Sequence, residues 1–254
     1  MQSATDFDPG CYRFIPSVFQ YSAGACAMPG HAIVRETFAT PKPVKRGFAL
    51  IAGRLRSQGL PLTNFCACEL RSPGQFDDAG FRAFNETYIL TLNEWGIMDE
   101  RRVNPVARSN VCPEYNAPPE PSFHAFSYVV PDAGNTLPNC VISGSAEAKD
   151  PESPDQLYRD RIVRYGEISP DALQEKVAFV AGVMAQRLAG FGLGWKDTSA
   201  VQAYCVHDFH HAAGHMAKAF AAARGLTWHY ARPPVQGLEY EMDCRAVSKE
   251  LVHP

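Results

Sequence analysis

The chain has little net charge, no long apolar run and no secretory-type start. Its formal net charge is −3 over 254 residues, which gives no field that would attract nucleic acid or an acidic membrane surface. No segment approaches the roughly 20 apolar residues needed to cross a bilayer. Residues 1–30 also lack a basic stretch followed by an apolar one. We therefore expect a soluble, cytoplasmic protein with no nucleic-acid and no membrane partner.

Three common active-site signatures are missing as well. No Gly-rich phosphate loop follows a predicted strand, no G-x-S-x-G elbow occurs, and the zincin order H-E-x-x-H is absent. Eight cysteines are present. In an intracellular chain of this length they are expected to be buried free thiols, because disulfide frameworks are typical of small secreted domains.

The same order of predicted helices and strands occurs twice along the chain. Residues 45–58 carry an apolar helical stripe that ends at Gly59, and the strand-like segment 64–71 leads to a second helix over 81–92. In the second half, Ser169 is expected to cap a helix that begins at Pro170. Further strands are predicted at 121–130, 139–145, 201–206 and 238–247.

Proline and glycine at 131–139 mark the boundary between the two halves. We therefore predict an α+β protein of two tandem domains, residues 1–132 and 133–254. Each domain is expected to have the order β-β-α-β-α-β, with its helices on one face of a mixed sheet.

Several motifs resemble those of the Rid family, the YjgF-like enamine/imine deaminases. G-F-R-A-F-N-E-T-Y at 80–88 is similar to the family's F-x-x-x-N-x-x-Y helix, and A-R-S-N-V at 107–111 is similar to its A-R-S-x-V strand. I-S-G-S at 142–145 and L-E-Y-E-M-D at 238–243 resemble its later strands. N-F-C-A-C-E-L-R-S-P at 64–73 and W-H-Y-A-R-P-P at 228–234 resemble a narrower group, the 2-aminomuconate and 2-amino-5-chloromuconate deaminases.

The resemblance implies two tandem chorismate-mutase-like domains and a homo-oligomer, with a trimer favoured because single-repeat relatives form trimers with pockets between neighbouring units. It also implies imine hydrolysis without a metal or an organic cofactor. The chorismatases, hydrolases built from two similar halves, are a second comparison.

The resemblance implies that Arg108 binds a substrate carboxylate. A guanidinium suits this task because its planar fork donates two parallel hydrogen bonds to one carboxylate. Asn85 matches the family's helix asparagine, and the second half has His215 at the comparable place. Both are predicted to bind substrate. A surface arginine and an exposed asparagine are the alternatives.

Glu241 falls where some family members keep a glutamate that positions the attacking water. Imine hydrolysis needs a group that takes a proton from water and returns one to the departing nitrogen, which a buried carboxyl can do. Glu239, Glu241 and Asp243 alternate along one predicted strand, so two of them could simply be solvated. Because the first half has no carboxylate at the matching place, Arg108 and Glu241 can serve one pocket only at an interface between the halves.

Glu69 and Arg71 are two apart at a strand end and would face the same side, either as an ion pair or as part of the pocket. We take Glu69 as a second candidate catalytic carboxylate. Since a muconate carries two carboxylates, a second arginine is required, and Arg71 is the first choice. Arg159 and Arg161 are held in reserve, with a solvated loop as their alternative.

A histidine cluster supports a competing prediction. His211 and His215 are four apart, the spacing that places two imidazoles on one helical face, and Asp208 could be a third metal ligand. His207 and His210 lie nearby. Their arrangement is also compatible with surface histidines or with a pocket role.

The sequence thus favours an aminohydrolase that needs no cofactor and releases ammonia from an enamine or imine carboxylate. The expected substrate is 2-aminomuconate or its chloro derivative. A metal-dependent hydrolase that uses residues 207–215 and a non-catalytic protein that binds a carboxylate metabolite are the alternatives.

Overall fold

The computed structural model describes residues 3–98, 102–153, 156–212 and 225–253. These residues form thirteen strands and three α-helices, in the following order: β1 (Thr5–Phe7), β2 (Tyr12–Ile15), β3 (Gly24–Ala27), β4 (His31–Pro43), α1 (Val44–Ser57), β5 (Phe65–Arg71), α2 (Asp78–Glu94), β6 (Ala107–Pro113), β7 (Ser122–Pro131), β8 (Cys140–Ala146), α3 (Pro170–Gly190), β9 (Ala200–Cys205), β10 (Leu226–His229), β11 (Ala231–Arg232), β12 (Tyr240–Ala246) and β13 (Lys249–His253).

The strands of the described ranges build two mixed sheets. One has seven strands in the order β1-β2-β3-β8-β12-β9-β10, and the other has six in the order β11-β6-β5-β7-β4-β13. Parallel pairing joins β9 to β10, β5 to β6 and β4 to β13. The remaining neighbours within the sheets are antiparallel.

The prediction of two tandem chorismate-mutase-like domains is wrong, because each sheet takes strands from both halves of the chain. The early strand β3 pairs with β8, with Gly24 opposite Ile142 and Cys26 opposite Cys140. The last strand, β13, returns to the other sheet and pairs with β4. Alternation along a segment predicts a strand and its buried face but leaves its partner open. The boundary between residues 132 and 133 stays a prediction, and it falls in the loop between β7 and β8.

Apolar side chains form three layers of core. α1 and α2 pack on the six-stranded sheet through residues such as Ile51, Leu55 and Leu92. α3 packs on the seven-stranded sheet through residues such as Val180 and Met184. The third layer lies between the two sheets and is lined by these buried residues: Tyr12, Phe14, Ala25, Ile33, Cys66, Ala67, Ala107 and Val129. The sheets therefore pack face to face, with helices on the outer sides.

The helix ends follow the local chemistry of the sequence. The Asp77 side chain accepts a hydrogen bond of 2.7 Å from the Gly80 N–H at the start of α2, and Ser169 accepts one from the Ala172 N–H at the start of α3. Both are N-caps that satisfy otherwise unpaired donors of the first turn. Gly59 follows α1 with φ +70°, a conformation that glycine adopts without a Cβ clash. The predicted helices over 45–58, 81–92 and from Pro170 onward are confirmed.

Cys26 and Cys140 are not the free thiols that the sequence predicts. Cys26 and Cys140 face each other on β3 and β8 and form a disulfide across a sequence separation of 114 residues. Cys66, Cys68, Cys112, Cys205 and Cys244 are buried free thiols, and Cys11 is half-buried. None of the helices in the described ranges has both the length and the apolar character that crossing a membrane requires.

Candidate active site

A cavity of about 580 Å³ opens where the two sheets meet. The Ser22 N–H donates to the Val106 carbonyl across this junction, and the Arg108 N–H donates to Ser143 Oγ at 3.0 Å. The cavity lies among β6, β8, β12 and the start of α2, and its wall also includes residues of the ranges 17–21, 148–151, 156–161 and 234–238. Its volume falls in the range of about 300 to 1,000 Å³ that is common for small-molecule sites.

Arg108 and Glu241, which lie on β6 and β12, line this one cavity. They come from different halves of the chain and from different sheets. The strand exchange between the sheets brings them together, and so the cavity is composite. Their functional roles stay predictions.

Arg108 is 2% exposed and is held in place by neutral partners. Its Nη2 donates to Asn85 Oδ1 at 2.6 Å, and its guanidinium lies 4.7 Å from the centroid of the Tyr88 ring and 5.3 Å from that of Tyr21. Arg108 Nη1 is buried without a hydrogen-bond acceptor in the described part of the protein. Because the neighbours are aromatic faces and an amide, the positive charge is oriented but not neutralised by them.

Asn85 is fully buried and contacts Arg108 rather than the cavity. Its Nδ2 donates to the Phe81 carbonyl at 2.7 Å, one turn back along α2, which turns its Oδ1 toward the arginine. The structure therefore places Asn85 as a support for Arg108. His215, the comparable residue of the second half, lies outside the described residues.

Asn110 lines the same cavity and was not singled out from the sequence, although it belongs to the A-R-S-N-V motif. Its Oδ1 accepts a hydrogen bond from Ser72 Oγ at 2.9 Å. This fixes the orientation of the amide, whose Nδ2 is buried without an acceptor among the described residues. Buried donors are rarely left unpaired in proteins. A carboxylate entering the cavity would supply acceptors beside both Asn110 and Arg108.

Glu241 is 4% exposed and its carboxyl packs directly against Gly144 of β8. A Cβ at position 144 would overlap Glu241 Oε1, so glycine is what leaves room for the carboxyl. Burial raises the pKa of Glu241 well above its usual value, and the neighbouring carboxyl of Asp243 raises it further. Arg71 and Arg108 oppose this shift without reversing it. Glu241 is therefore a carboxyl that keeps its proton above the ordinary pH range of a glutamate.

Glu239 and Asp243, the neighbours of Glu241 at alternate positions, have other partners. Asp243 is buried and accepts hydrogen bonds from Gln202 Nε2 at 2.7 Å and from the Tyr204 hydroxyl at 2.9 Å. Glu239 is half-buried, 2.8 Å from His207 Nε2. Neither lines the cavity among the described residues.

Glu69 and Arg71 lie in a buried polar cluster between the sheets rather than along the cavity. Arg35 Nε donates to Glu69 Oε1 at 2.6 Å, and Arg71 Nη2 is 3.7 Å from Glu69 Oε2. The Arg71 guanidinium is 5.6 Å from the centroid of the Tyr204 ring on the opposite sheet. These contacts favour the ion-pair alternative for Glu69. Its catalytic role and the substrate-binding role of Arg71 stay predictions.

We expect Glu69→Gln to destabilise the fold rather than to stop the chemistry. Burial alone would raise the pKa of Glu69, but the charge and hydrogen bond of Arg35 lower it below the usual range. The pair therefore stabilises the fold above the ordinary carboxyl pKa, and this contribution is lost as the pH falls. Leaving Arg35 without its buried partner should reduce the free energy of unfolding by about 3 kcal/mol, measured by urea denaturation at pH 7.

The matched control for this variant is Glu250→Gln. Glu250 is 3.0 Å from Arg35 Nη1 and also pairs with Arg245 Nε at 2.9 Å, but its side chain is 37% exposed, so its loss should cost no more than about 1 kcal/mol for each pair. A Glu69→Gln protein of unchanged stability but strongly reduced turnover would instead support the catalytic role.

The two alternative arginines, Arg161 and Arg159, lie in different environments. Arg161 lines the cavity, with its guanidinium 3.8 Å from the centroid of the Tyr158 ring and its Nη1 donating to the Lys149 carbonyl at 2.6 Å. Arg159 points to solvent beside Asp160. A further arginine, Arg187 of α3, lines the cavity and was not proposed as a site residue from the sequence.

Within the cluster, His210 and His211 contact separate partners. His210 Nδ1 contacts Asp208, and His211 Nε2 is 3.0 Å from the Pro170 carbonyl oxygen. Within residues 3–98, 102–153, 156–212 and 225–253, no three His, Cys, Asp or Glu side chains are grouped so that they could hold a metal ion.

Comparison with known proteins identifies the class of this chain. A family model described as 2-aminomuconate deaminase CnbZ matches residues 4–251. A 2-amino-5-chloromuconate deaminase of Comamonas testosteroni is 48% identical over 254 residues, covering 99% of this chain and 100% of that protein. The chain is an enzyme that acts on carbon–nitrogen bonds, a deaminase of the aminomuconate type. It belongs to the 2-aminomuconate deaminase CnbZ family.

Solved structures resemble the chain more distantly. A chorismatase at 13% identity covers 89% of this chain and 77% of its own, with a TM-score of 0.48. A cyanuric acid hydrolase from A. caulinodans, also at 13% identity, covers 89% of this chain and 70% of its own, with a TM-score of 0.42. The narrower resemblance seen in the sequence is confirmed by the family match. Membership of the wider Rid family and a trimeric assembly stay predictions.

Proposed function

We propose that this enzyme hydrolyses 2-aminomuconate, or a close derivative such as 2-amino-5-chloromuconate, to ammonia and the corresponding 2-oxo acid, without a cofactor. The observation that carries the proposal is that an oriented arginine and a buried carboxyl of raised pKa, Arg108 and Glu241, line one cavity. The family and the named activity of the 48% identical relative support the substrate class.

In the proposed complex, Arg108 binds the carboxylate next to the amino-bearing carbon. The hydrogen bond to Asn85 and the aromatic rings around it hold the guanidinium in one orientation. The substrate carboxylate would supply the counter-charge that the site lacks, and Asn110 Nδ2 would donate to it as well. Because the donors are in place before binding, little ordering has to occur on binding.

Glu241 then acts as the acid and afterwards as the base. In its protonated form it transfers a proton to the enamine carbon, which gives the iminium ion and leaves Glu241 as a carboxylate. The carboxylate takes a proton from water as the oxygen attacks the iminium carbon, which gives the neutral carbinolamine and the protonated carboxyl. Glu241 donates this proton to nitrogen, and its carboxylate takes the hydroxyl proton as the carbon–nitrogen bond breaks, ammonia leaves and the carbonyl forms. One water is consumed and one ammonia released, and the carboxyl ends in its starting form.

The pKa shift of Glu241 suits this order of steps. A carboxyl of ordinary pKa would be ionised at neutral pH and could not start by donating a proton, whereas burial and Asp243 favour the protonated form here. The carboxylate that forms after the first transfer is more basic than a solvated one. It is therefore a better acceptor for the proton of water.

The deciding experiment is the release of ammonia from 2-aminomuconate by the purified protein. Ammonia should appear in a 1:1 ratio to the loss of the dienamine absorbance, at a rate proportional to protein concentration and well above the spontaneous hydrolysis in a protein-free blank. A parallel assay with 2-amino-5-chloromuconate identifies the preferred substrate. If ammonia release from these compounds and from small 2-imino acids stays at the blank rate, the proposed function is wrong.

A further inference from the structure

Arg187 is a second arginine of the cavity, and its guanidinium has no acidic partner in the described part of the chain. It lies in the last turn of α3, and its Nη1 donates to the carbonyl oxygens of Ser143 and Gly144 at 2.9 and 3.2 Å. Among the described residues, no carboxylate forms an ion pair with it. A guanidinium carries five N–H donors, so its Nε and Nη2 edge remains for a ligand.

The surroundings of Arg187 are unfavourable for an unpaired charge. Burial lowers the pKa of Arg187, while Tyr21 and Asp150 only partly oppose this effect. Taking a cation out of water is costly unless a counter-charge compensates it. An anionic ligand would supply that counter-charge, which is the same argument that applies to Arg108.

Arg187 and Arg108 are attached to the same short stretch of β8. Arg108 is joined to Ser143 through its N–H, and Arg187 binds the carbonyls of Ser143 and Gly144. Glu241 packs against that same Gly144. Both arginines are also near Tyr21, whose ring lies beside the Arg108 guanidinium and which acts electrostatically on Arg187. Glu241 and the two arginines thus all contact residues 143 and 144 of β8.

The other candidate arginines are less suited to a second anion. Arg71 is outside the cavity and already next to Glu69. Arg161 lines the cavity, but its guanidinium is stacked on Tyr158. Arg187 also lines an adjoining cavity of about 530 Å³, so space for the end of an elongated ligand continues past it.

We propose that Arg187 binds the distal carboxylate of the substrate and makes the enzyme selective for six-carbon dicarboxylates over monocarboxylates. This inference rests on the proposed function, since it presumes that Arg108 holds the carboxylate beside the reacting carbon. The second carboxylate of the substrate is thereby assigned to Arg187 of α3 rather than to Arg71 of β5.

Two unreactive ligands of equal length test the proposal: trans,trans-muconate and sorbate, in which a methyl group replaces one carboxylate. Isothermal titration calorimetry should show wild-type protein binding muconate about 30- to 1,000-fold more tightly than sorbate, as expected for one buried charge pair. Arg187→Met should bring the two dissociation constants to within about threefold by weakening muconate alone. Arg187→Lys, which keeps charge but not the fork, should retain part of the preference.

Arg161→Met is the rival variant and Arg159→Met the control for loss of one surface charge. Both should keep the preference for muconate. The proposal is overturned if wild type does not distinguish the two ligands, if Arg187→Met weakens both equally, or if Arg161→Met removes the preference instead. Neither ligand is turned over, so this comparison is independent of whether ammonia release is observed.

Discussion

Replacing Glu241 by glutamine should lower kcat for deamination by about 100- to 10,000-fold, the range that a positioned acid–base group contributes. KM should change little, because the proposed carboxylate anchors are untouched. The glutamine has nearly the same shape and fits beside Gly144, but it can neither donate the first proton nor accept one from water. The measurement is steady-state ammonia release from 2-aminomuconate over a range of substrate concentrations.

The stability of this variant separates chemistry from unfolding. The pKa of Glu241 is raised in the folded protein, so ionisation of this carboxyl disfavours folding. The stability that protonated Glu241 contributes is therefore lost as the pH rises through the folded pKa. Glutamine does not ionise. The variant should therefore be at least as stable as wild type at neutral and alkaline pH, and a thermal melt at pH 8 checks this.

The pH profile of the wild-type enzyme provides a second readout. Turnover that begins from protonated Glu241 should fall as the pH rises through its pKa, and the residual turnover of Glu241→Gln should lack this alkaline limb. Asp243→Asn removes a like charge that raises the pKa of Glu241, so the limb should move to lower pH. Glu239→Gln, two residues away and outside the cavity, is the matched control. Full activity in Glu241→Gln would exclude the proposed acid–base role.

Local elements were predictable because their signals are local. The stripe of α3 and its cap at Ser169 depend on residues within a few turns, and the strand character of β5 and β12 follows from alternation and composition. Arg108 and Glu241 could be singled out because the motifs around them survive in the sequence. The same patterns carry no information on which strands become neighbours.

The sheet partners depend on long-range packing. β1 to β3 could have completed the sheet of the first half, but they join β8, and β13 crosses back to β4. The residues of these strands do not themselves specify a partner, so each strand could pair with several others. This exchange of strands, which the repeated order of elements did not predict, places Arg108 and Glu241 at one cavity.

Arg187 was missed for a different reason. A basic residue in the last turn of a helix is ordinarily explained by its interaction with the helix dipole, and its sequence position suggests nothing more. One signal was present: residues 180, 184, 187 and 191 follow the spacing of the buried stripe, so Arg187 falls on the inner side of α3. An arginine within an apolar stripe needs a partner or a ligand.

Replacing Arg108 by methionine is expected to lower kcat/KM for 2-aminomuconate by about 30- to 5,000-fold, since removing one partner of a buried charge pair costs about 2 to 5 kcal/mol. If Arg108 binds the substrate carboxylate equally strongly in the ground and transition states, most of the loss in kcat/KM should appear as a higher KM. Arg108→Lys should recover little, because an ammonium cannot donate two parallel hydrogen bonds or lie flat against Tyr88. Ammonia release at varied substrate concentration measures both constants.

Asn85 provides a sharper version of the same test because it reaches the substrate only through Arg108. In Asn85→Asp, a carboxylate would replace the amide oxygen that is 2.6 Å from Arg108 Nη2. The new ion pair would neutralise the guanidinium and compete with the substrate carboxylate, so KM should rise at least tenfold. The bond to Arg108 is kept, but the one from Nδ2 to the Phe81 carbonyl is lost, and a thermal melt of the variant measures that cost. Asn85→Leu should instead leave Arg108 charged but misoriented, which lowers kcat as well.

The two Asn85 variants thus separate neutralisation from misorientation of the arginine. Arg82→Gln, at an exposed position of α2 that also borders the cavity, controls for a general effect of removing one positive charge there and should alter kcat/KM by less than about threefold. If Asn85→Asp binds substrate as tightly as wild type, Arg108 is not the carboxylate anchor. The substrate would then have to be oriented by other donors of the cavity, such as the buried Asn110 and the half-buried Arg187.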